Sequence, residues 1–245
     1  MKTITLLFTI LFNFITNNSV MAQQKHILYL IPGTGADHRL FNQIAVENCE
    51  LRYIKYEVPD KNESLEEYAH RLAQQIDVTS NYSIAGVSLG GMITAEMSKF
   101  MNAEKFVLIS SAKNKQEVPL RIRCQKYLPF YRMFGGKMYK KLTKMAMPIF
   151  EPKSSKEVRA TCASMLDDTD PLFLERAVKM IVKWENIADN DHLIRIHGTK
   201  DQVFPYRKIE NPITVDKGSH LMIQRHPNEI NKILNDIFSV AASTN

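Results

Sequence analysis

Two periodicities alternate along the chain. Short, nearly unbroken apolar runs predict strands near 26–31, 51–57, 82–87, 105–110, 193–197 and 212–216. Between them, amphipathic stretches predict helices near 39–47, 63–77, 89–102 and 227–241. In 63–77, Leu65, Tyr68, Ala69, Leu72, Gln75 and Ile76 recur at spacings suited to one buried helical face. Strands that are apolar along their whole length belong to parallel sheets covered on both faces. The alternation therefore predicts an α/β chain with a mostly parallel six-stranded sheet flanked by helices. From residue 113 to 185 the pattern changes to helical runs broken at Pro119, Pro129, Gly135-Gly136, Pro148, Pro152 and Pro171. That stretch separates the strand ending at Ser110 from the next, and is expected to form a helical cap over the strand ends. The core is then 23–112 and 186–245.

Chemistry enters at Gly86-Val87-Ser88-Leu89-Gly90, which lies between a strand-like and a helix-like run. G-x-S-x-G in that setting is the pattern of a nucleophile elbow, a sharp turn that lifts one serine oxygen clear of the backbone. A serine hydroxyl needs a base, and the base needs a third group to orient it. The order for this elbow is Ser, then an acid, then His. Downstream, the run Ile194–His197 breaks at Gly198 and presents Asp201, while Ile213–Val215 breaks at Gly218 and presents His220. His197 is a rival base, but it precedes the turn and falls within the strand, where a structural histidine is expected. Asp216 is a rival acid only four residues before His220. The run Ile27–Ile31 ends in Pro32-Gly33-Thr34-Gly35, where glycines let backbone approach a substrate. The backbone N–H groups of Thr34 and Leu89 are the expected oxyanion donors.

On these residues the chain resembles the α/β-hydrolase superfamily: the Pro32-Gly33-Thr34-Gly35 loop, the Ser88 elbow, the Asp201 turn and the His220 loop span nearly all of the mature chain. The resemblance implies that fold, a Ser88-His220-Asp201 triad and acyl transfer, with small carboxylesterases and thioesterases the most similar members. A serine nucleophile argues against the dehalogenases, which use Asp there. One departure is visible: many members begin the oxyanion loop His-Gly, and here Pro32 replaces the histidine. The expected substrate is a small-molecule ester or thioester. A chain that keeps the fold as a non-catalytic binding protein is the reading from a different class.

Residues 4–15 are mostly apolar behind Lys2, and Ser19-Val20-Met21-Ala22 supplies small residues for a cut after Ala22. Residues 1–22 are thus expected to be a signal peptide, too short to span a bilayer, directing export to the periplasm or medium. About 220 residues remain, enough for one α/β domain.

The 245-residue chain carries 32 Lys and Arg against 26 Asp and Glu, a net +6. The excess concentrates between Lys113 and Lys144, where Glu117 is the only acid and Met and aromatic residues are interleaved. This can be a solvated basic face backed by an apolar pocket, or an attractor of anionic substrates or lipid headgroups, as in a membrane-surface lipase or lysophospholipase. No nucleic-acid-binding module accompanies the charge, so nucleic acid is not an expected partner. The three cysteines, Cys49, Cys124 and Cys162, form neither a disulfide framework nor a C-x-x-C pair, although one bridge is possible. Neither a metal nor a dinucleotide motif is present, and no cofactor is implied. Asp167-Asp168-Thr169-Asp170 lacks the spacing of a calcium loop and reads as a helix boundary.

Overall fold

Pairing of apolar strands at matching registers builds one sheet. In the computed structural model, which describes residues 25–127, 130–188 and 190–239, the strands are β1 (His26–Ile31), β2 (Cys49–Tyr53), β3 (Tyr82–Val87), β4 (Phe106–Ile109), β5 (Leu193–Gly198) and β6 (Ile213–Val215). Their order is β2-β1-β3-β4-β5-β6, and all five pairs are parallel. The helices are α1 (Leu65–Ala73), α2 (Leu89–Met97), α3 (Leu120–Arg123), α4 (Phe130–Phe150), α5 (Lys156–Asp168), α6 (Pro171–Lys183), α7 (Met222–Arg225) and α8 (Pro227–Ser239). The predicted leader, residues 1–22, lies outside the described residues.

The two-residue strand period divides the core between the faces of the sheet. On β1, Ile27, Tyr29 and Ile31 join α1, α2 and α6 in one apolar cluster. Leu28 and Leu30 point the other way, toward α8 and the 3-10 turn His38–Phe41. Both faces are covered, which is why β1, β3 and β4 carry almost no polar residues.

Several predicted elements differ in extent; α2, expected to residue 102, ends at Met97. The helix expected over 39–47 is only the turn His38–Phe41. Beyond it, the Ala45 and Glu47 amides donate to the Asn231 and Asn235 side chains of α8 rather than up a helical ladder. β2 was expected to reach residue 57 and stops at Tyr53; the backbone of Lys55 is paired instead with the Gln75 amide side chain. α1 starts at Leu65 because Ser64 and Glu67 form a reciprocal capping box.

Between β4 and β5 the chain is helical, as the pattern predicts, and Pro119, Gly135, Pro152 and Pro171 fall at helix boundaries or breaks, whereas Pro148 does not. Pro148 lies inside α4, whereas Gly135, at φ +62° and ψ 167°, is non-helical and divides α4 into two helical segments. Pro171 sits in the first turn of α6 behind the cap Asp170, which accepts a hydrogen bond from the Leu172 amide at 2.7 Å. Asp167-Asp168 closes α5, as the helix-boundary reading expects.

Candidate active site

The elbow forms because backbone must pass backbone with no room for a side chain. A Cβ on Gly86 would lie 2.1 Å from the Gly90 carbonyl oxygen, and one on Gly90 would lie 2.1 Å from that of Ile31. Between them Ser88 is forced to φ 55°, ψ −117°, a conformation an L-residue adopts only under strain. The Ser111 hydroxyl donates to the Ser88 carbonyl at 2.6 Å and holds the turn. Ser88 Oγ is thereby presented at the carboxyl ends of the strands, where α/β sheets place their sites.

His220 Nε2 lies 3.0 Å from Ser88 Oγ, and its Nδ1 lies 2.9 Å from Asp201 Oδ2. The three side chains singled out in the sequence, from loops after β3, β5 and β6, are brought together. Asp201 is buried and its second oxygen is fully engaged: Oδ1 accepts from the amides of Val203 at 2.7 Å and Phe204 at 2.9 Å. Those donors hold the remaining oxygen toward the imidazole.

Burial alone would raise the Asp201 carboxyl, but the His220 charge and hydrogen bond, with His197 and the Phe204 amide, bring it below its usual value. Burial likewise opposes a charged His220. The Asp201 carboxylate outweighs it, through charge and hydrogen bond, with Glu151 adding to the effect, and the imidazole titrates above its usual value.

His197 does not bond Ser88. It is buried in β5 and its Nε2–H donates to the Phe204 carbonyl at 2.8 Å, with Asp201 Oδ2 at 3.4 Å. Burial depresses its pKa, so it stays neutral and braces the acid's loop. Asp216 is exposed and meets Thr199 and Lys217.

The Pro32–Gly35 loop lies against the serine: a Cβ on Gly33 would come within 3.4 Å of Ser88 Cβ. The Tyr56 hydroxyl fixes this loop by donating to the Pro32 carbonyl at 2.5 Å. Leu89 opens α2, where the first amides have no partner within the helix and can face an anion. Thr34 and Gly35 border a cavity of about 420 Å³ that also meets His220 and is walled mainly by Leu40, Tyr139, Met147, Met165, Leu166 and Val203.

Two supports were not legible in the sequence. Glu151, just past α4, is buried, accepts from the Leu221 amide at 3.0 Å and pairs with Arg225, fixing the His220 loop. It lies about seventy residues from the histidine it steadies, with no local pattern to flag it. Arg39 bonds Asp37, Asp168 and Ser164, joining the segment after the Gly33 loop to α5. His38 borders a separate cavity of about 530 Å³ behind that loop. All three cysteines are free; Cys162 borders the 420 Å³ cavity, and its thiol, which donates to Gln224 Oε1 at 3.3 Å, is pushed up to about 11 by burial and Glu151. Among the described residues no group of three or more His, Cys, Asp and Glu could hold a metal.

No protein-family model and no curated protein matches the chain. Among solved structures it is similar to an esterase of Exiguobacterium antarcticum, with 17% identity over 86% of this chain and 91% of that one, TM-score 0.66. It is similar to MenH of S. aureus at 12% identity, 87% and 93% coverage and TM-score 0.67. A third likeness is to the putative non-heme bromoperoxidase BpoC of Mycobacterium tuberculosis, at 15% identity, 88% and 92% coverage and TM-score 0.64. With the parallel sheet order, these establish the α/β-hydrolase fold. Their different names leave the chemistry to be argued from the site itself.

Proposed function

We propose that the chain is a serine hydrolase that cleaves carboxylic esters or thioesters through an acyl-enzyme. The observation that carries this is the unbroken hydrogen-bond line Ser88–His220–Asp201 at 3.0 and 2.9 Å, at the edge of an apolar cavity. Ser88 Oγ attacks the substrate carbonyl and a C–O bond forms as His220 Nε2 takes the hydroxyl proton. Asp201 fixes the tautomer that leaves Nε2 free to accept, and stabilises the imidazolium. Negative charge developing on the carbonyl oxygen is met by the Thr34 and Leu89 amides; one such donor is worth roughly 3–4 kcal/mol. Collapse breaks the bond to the leaving alkoxide or thiolate, which receives the Nε2 proton. Water, deprotonated by the same imidazole, then releases the acyl group and restores Ser88. A cavity of about 420 Å³ is large enough for a medium acyl chain.

Fluorophosphonate labelling tests the reading, because only an activated serine reacts. Labelling should fall on Ser88, and Ser88→Ala should lose both the label and turnover of a p-nitrophenyl ester while its circular dichroism is unchanged. An unlabelled wild-type chain that also turns over no ester would instead make the protein a binding member of its fold. The reading extends to location: the leader-like composition of residues 1–22 supports export. Protein recovered outside the cytoplasm should begin near Gln23; an intact Met1 chain found only in the cytoplasm refutes export.

A further inference from the structure

α4 has a side that the proposed chemistry does not use. Beyond the kink at Gly135, Tyr139, Thr143, Ala146 and Met147 line the cavity that reaches His220. At 100° per residue, Met138, Leu142 and Met145 fall on the neighbouring strip of the same helix. These three are exposed, by 41%, 45% and 65%, where an ordinary solvated helix face would carry polar residues. Leu142 is both exposed and part of the cavity wall, so the strip continues into the cavity's mouth.

The strip after that, continuing around the helix, is basic. Lys137, Lys140, Lys141 and Lys144 surround a shallow depression with Asp167 as its one acid, a surplus of three positive charges. Asp167 is engaged with Lys144 through its carboxylate and with Lys140 through its carbonyl. Apolar strip and lysine strip run side by side along the helix, the amphipathic arrangement that lies in a membrane interface. A nucleic-acid groove would instead pair its cations with aromatic stacking platforms, and neither methionine nor leucine supplies one.

We propose that this edge of α4 seats on an anionic lipid surface. Met138, Leu142 and Met145 enter the boundary between headgroups and acyl chains, and the lysines meet the lipid phosphates. The mouth of the cavity then opens at the interface. Resting on the hydrolase reading above, this makes membrane-derived acyl compounds the substrate class delivered to Ser88.

The test is flotation of the purified chain with phosphatidylglycerol–phosphatidylcholine vesicles and with phosphatidylcholine alone. Binding should be strong on the first, negligible on the second, and weakened by added salt. Lys137→Gln/Lys141→Gln should lower partitioning about 30-fold, the share of two lysines near a charged surface. Met138→Ser/Met145→Ser should lower it at least tenfold. None of these four residues lines the catalytic cavity, so turnover of a soluble ester should persist in both variants. Absence of binding to anionic vesicles overturns the proposal. Loss of binding in the lysine variant with full binding kept in the methionine variant also overturns it, because charge alone would then hold the chain at the surface. Vesicle binding is read without turnover, so a failure of the hydrolase reading is distinguished by ester and probe assays alone.

Discussion

Replacing Asp201 by asparagine probes the logic of the site with the smallest change in shape. Two backbone donors, from Val203 and Phe204, converge on Oδ1, while Oδ2 faces His220 Nδ1. An asparagine must choose which end its oxygen occupies. Turning the NH2 toward the two amides would leave buried donors unpaired, at about 1–3 kcal/mol each. The oxygen therefore stays with Val203 and Phe204, and the NH2 faces the imidazole. To accept from it, His220 must carry its proton on Nε2, which then cannot take the Ser88 proton. A site locked in the wrong tautomer loses about 10⁴-fold in kcat, or about 5.4 kcal/mol of transition-state stabilisation. Steady-state hydrolysis of a p-nitrophenyl ester, with circular dichroism to confirm folding, measures this. A folded Asp201→Asn retaining a tenth or more of wild-type kcat would refute the account of how the carboxylate acts.

The pH dependence follows from the same pair. Because His220 must be neutral to act, kcat/KM should fall as pH drops through a value above the ordinary histidine 6.5, as a pH–rate profile would report; an acid limb below 6.5 contradicts it. In denaturation midpoints across pH, the raised His220 contributes stability that is full below its unfolded pKa and lost as pH rises through the folded one. Asp201, lowered, contributes stability present above its unfolded pKa and lost as pH falls through the folded one. Gly90→Ala should destabilise by about 1–3 kcal/mol or more in urea, since its Cβ meets the Ile31 carbonyl oxygen at 2.1 Å; an unchanged midpoint would contradict the close crossing. Glu117→Gln should cost about 3–5 kcal/mol, because it removes the negative charge and one of the two acceptor oxygens that face buried Arg195 at 2.6 and 2.5 Å. Equal thermal stability of that variant would show that the pair is dispensable.

The strands and the three catalytic candidates were legible because their signals are local. An apolar run ending in a glycine turn identifies both the strand and the residue delivered at its end, as Gly198 does for Asp201 and Gly218 for His220. The place of His197 within the strand was also readable, since it precedes the glycine break. What escaped is fixed by partners distant in sequence. The Lys55 backbone bonds the Gln75 side chain, and Ala45 bonds those of α8, so neither stretch extends its predicted element. Pro148 predicts a break, yet α4 continues through it. Glu151 steadies the His220 loop through one side chain placed by the fold alone.

The guanidinium of Arg39 has a consequence for how firmly the segment after the glycine loop is held. It grips Asp37, beside the glycine loop, with one set of N–H groups, and Ser164 and Asp168 of α5 with the rest. Any outward swing of α5 must part it from those two partners while Asp37 keeps hold of the base of the arm. Arg39 therefore ties that segment to α5, and because Asp168 is largely exposed, dissolved ions compete for that half of the tie directly. Raising ionic strength should then loosen the hold of α5 on the segment after the glycine loop.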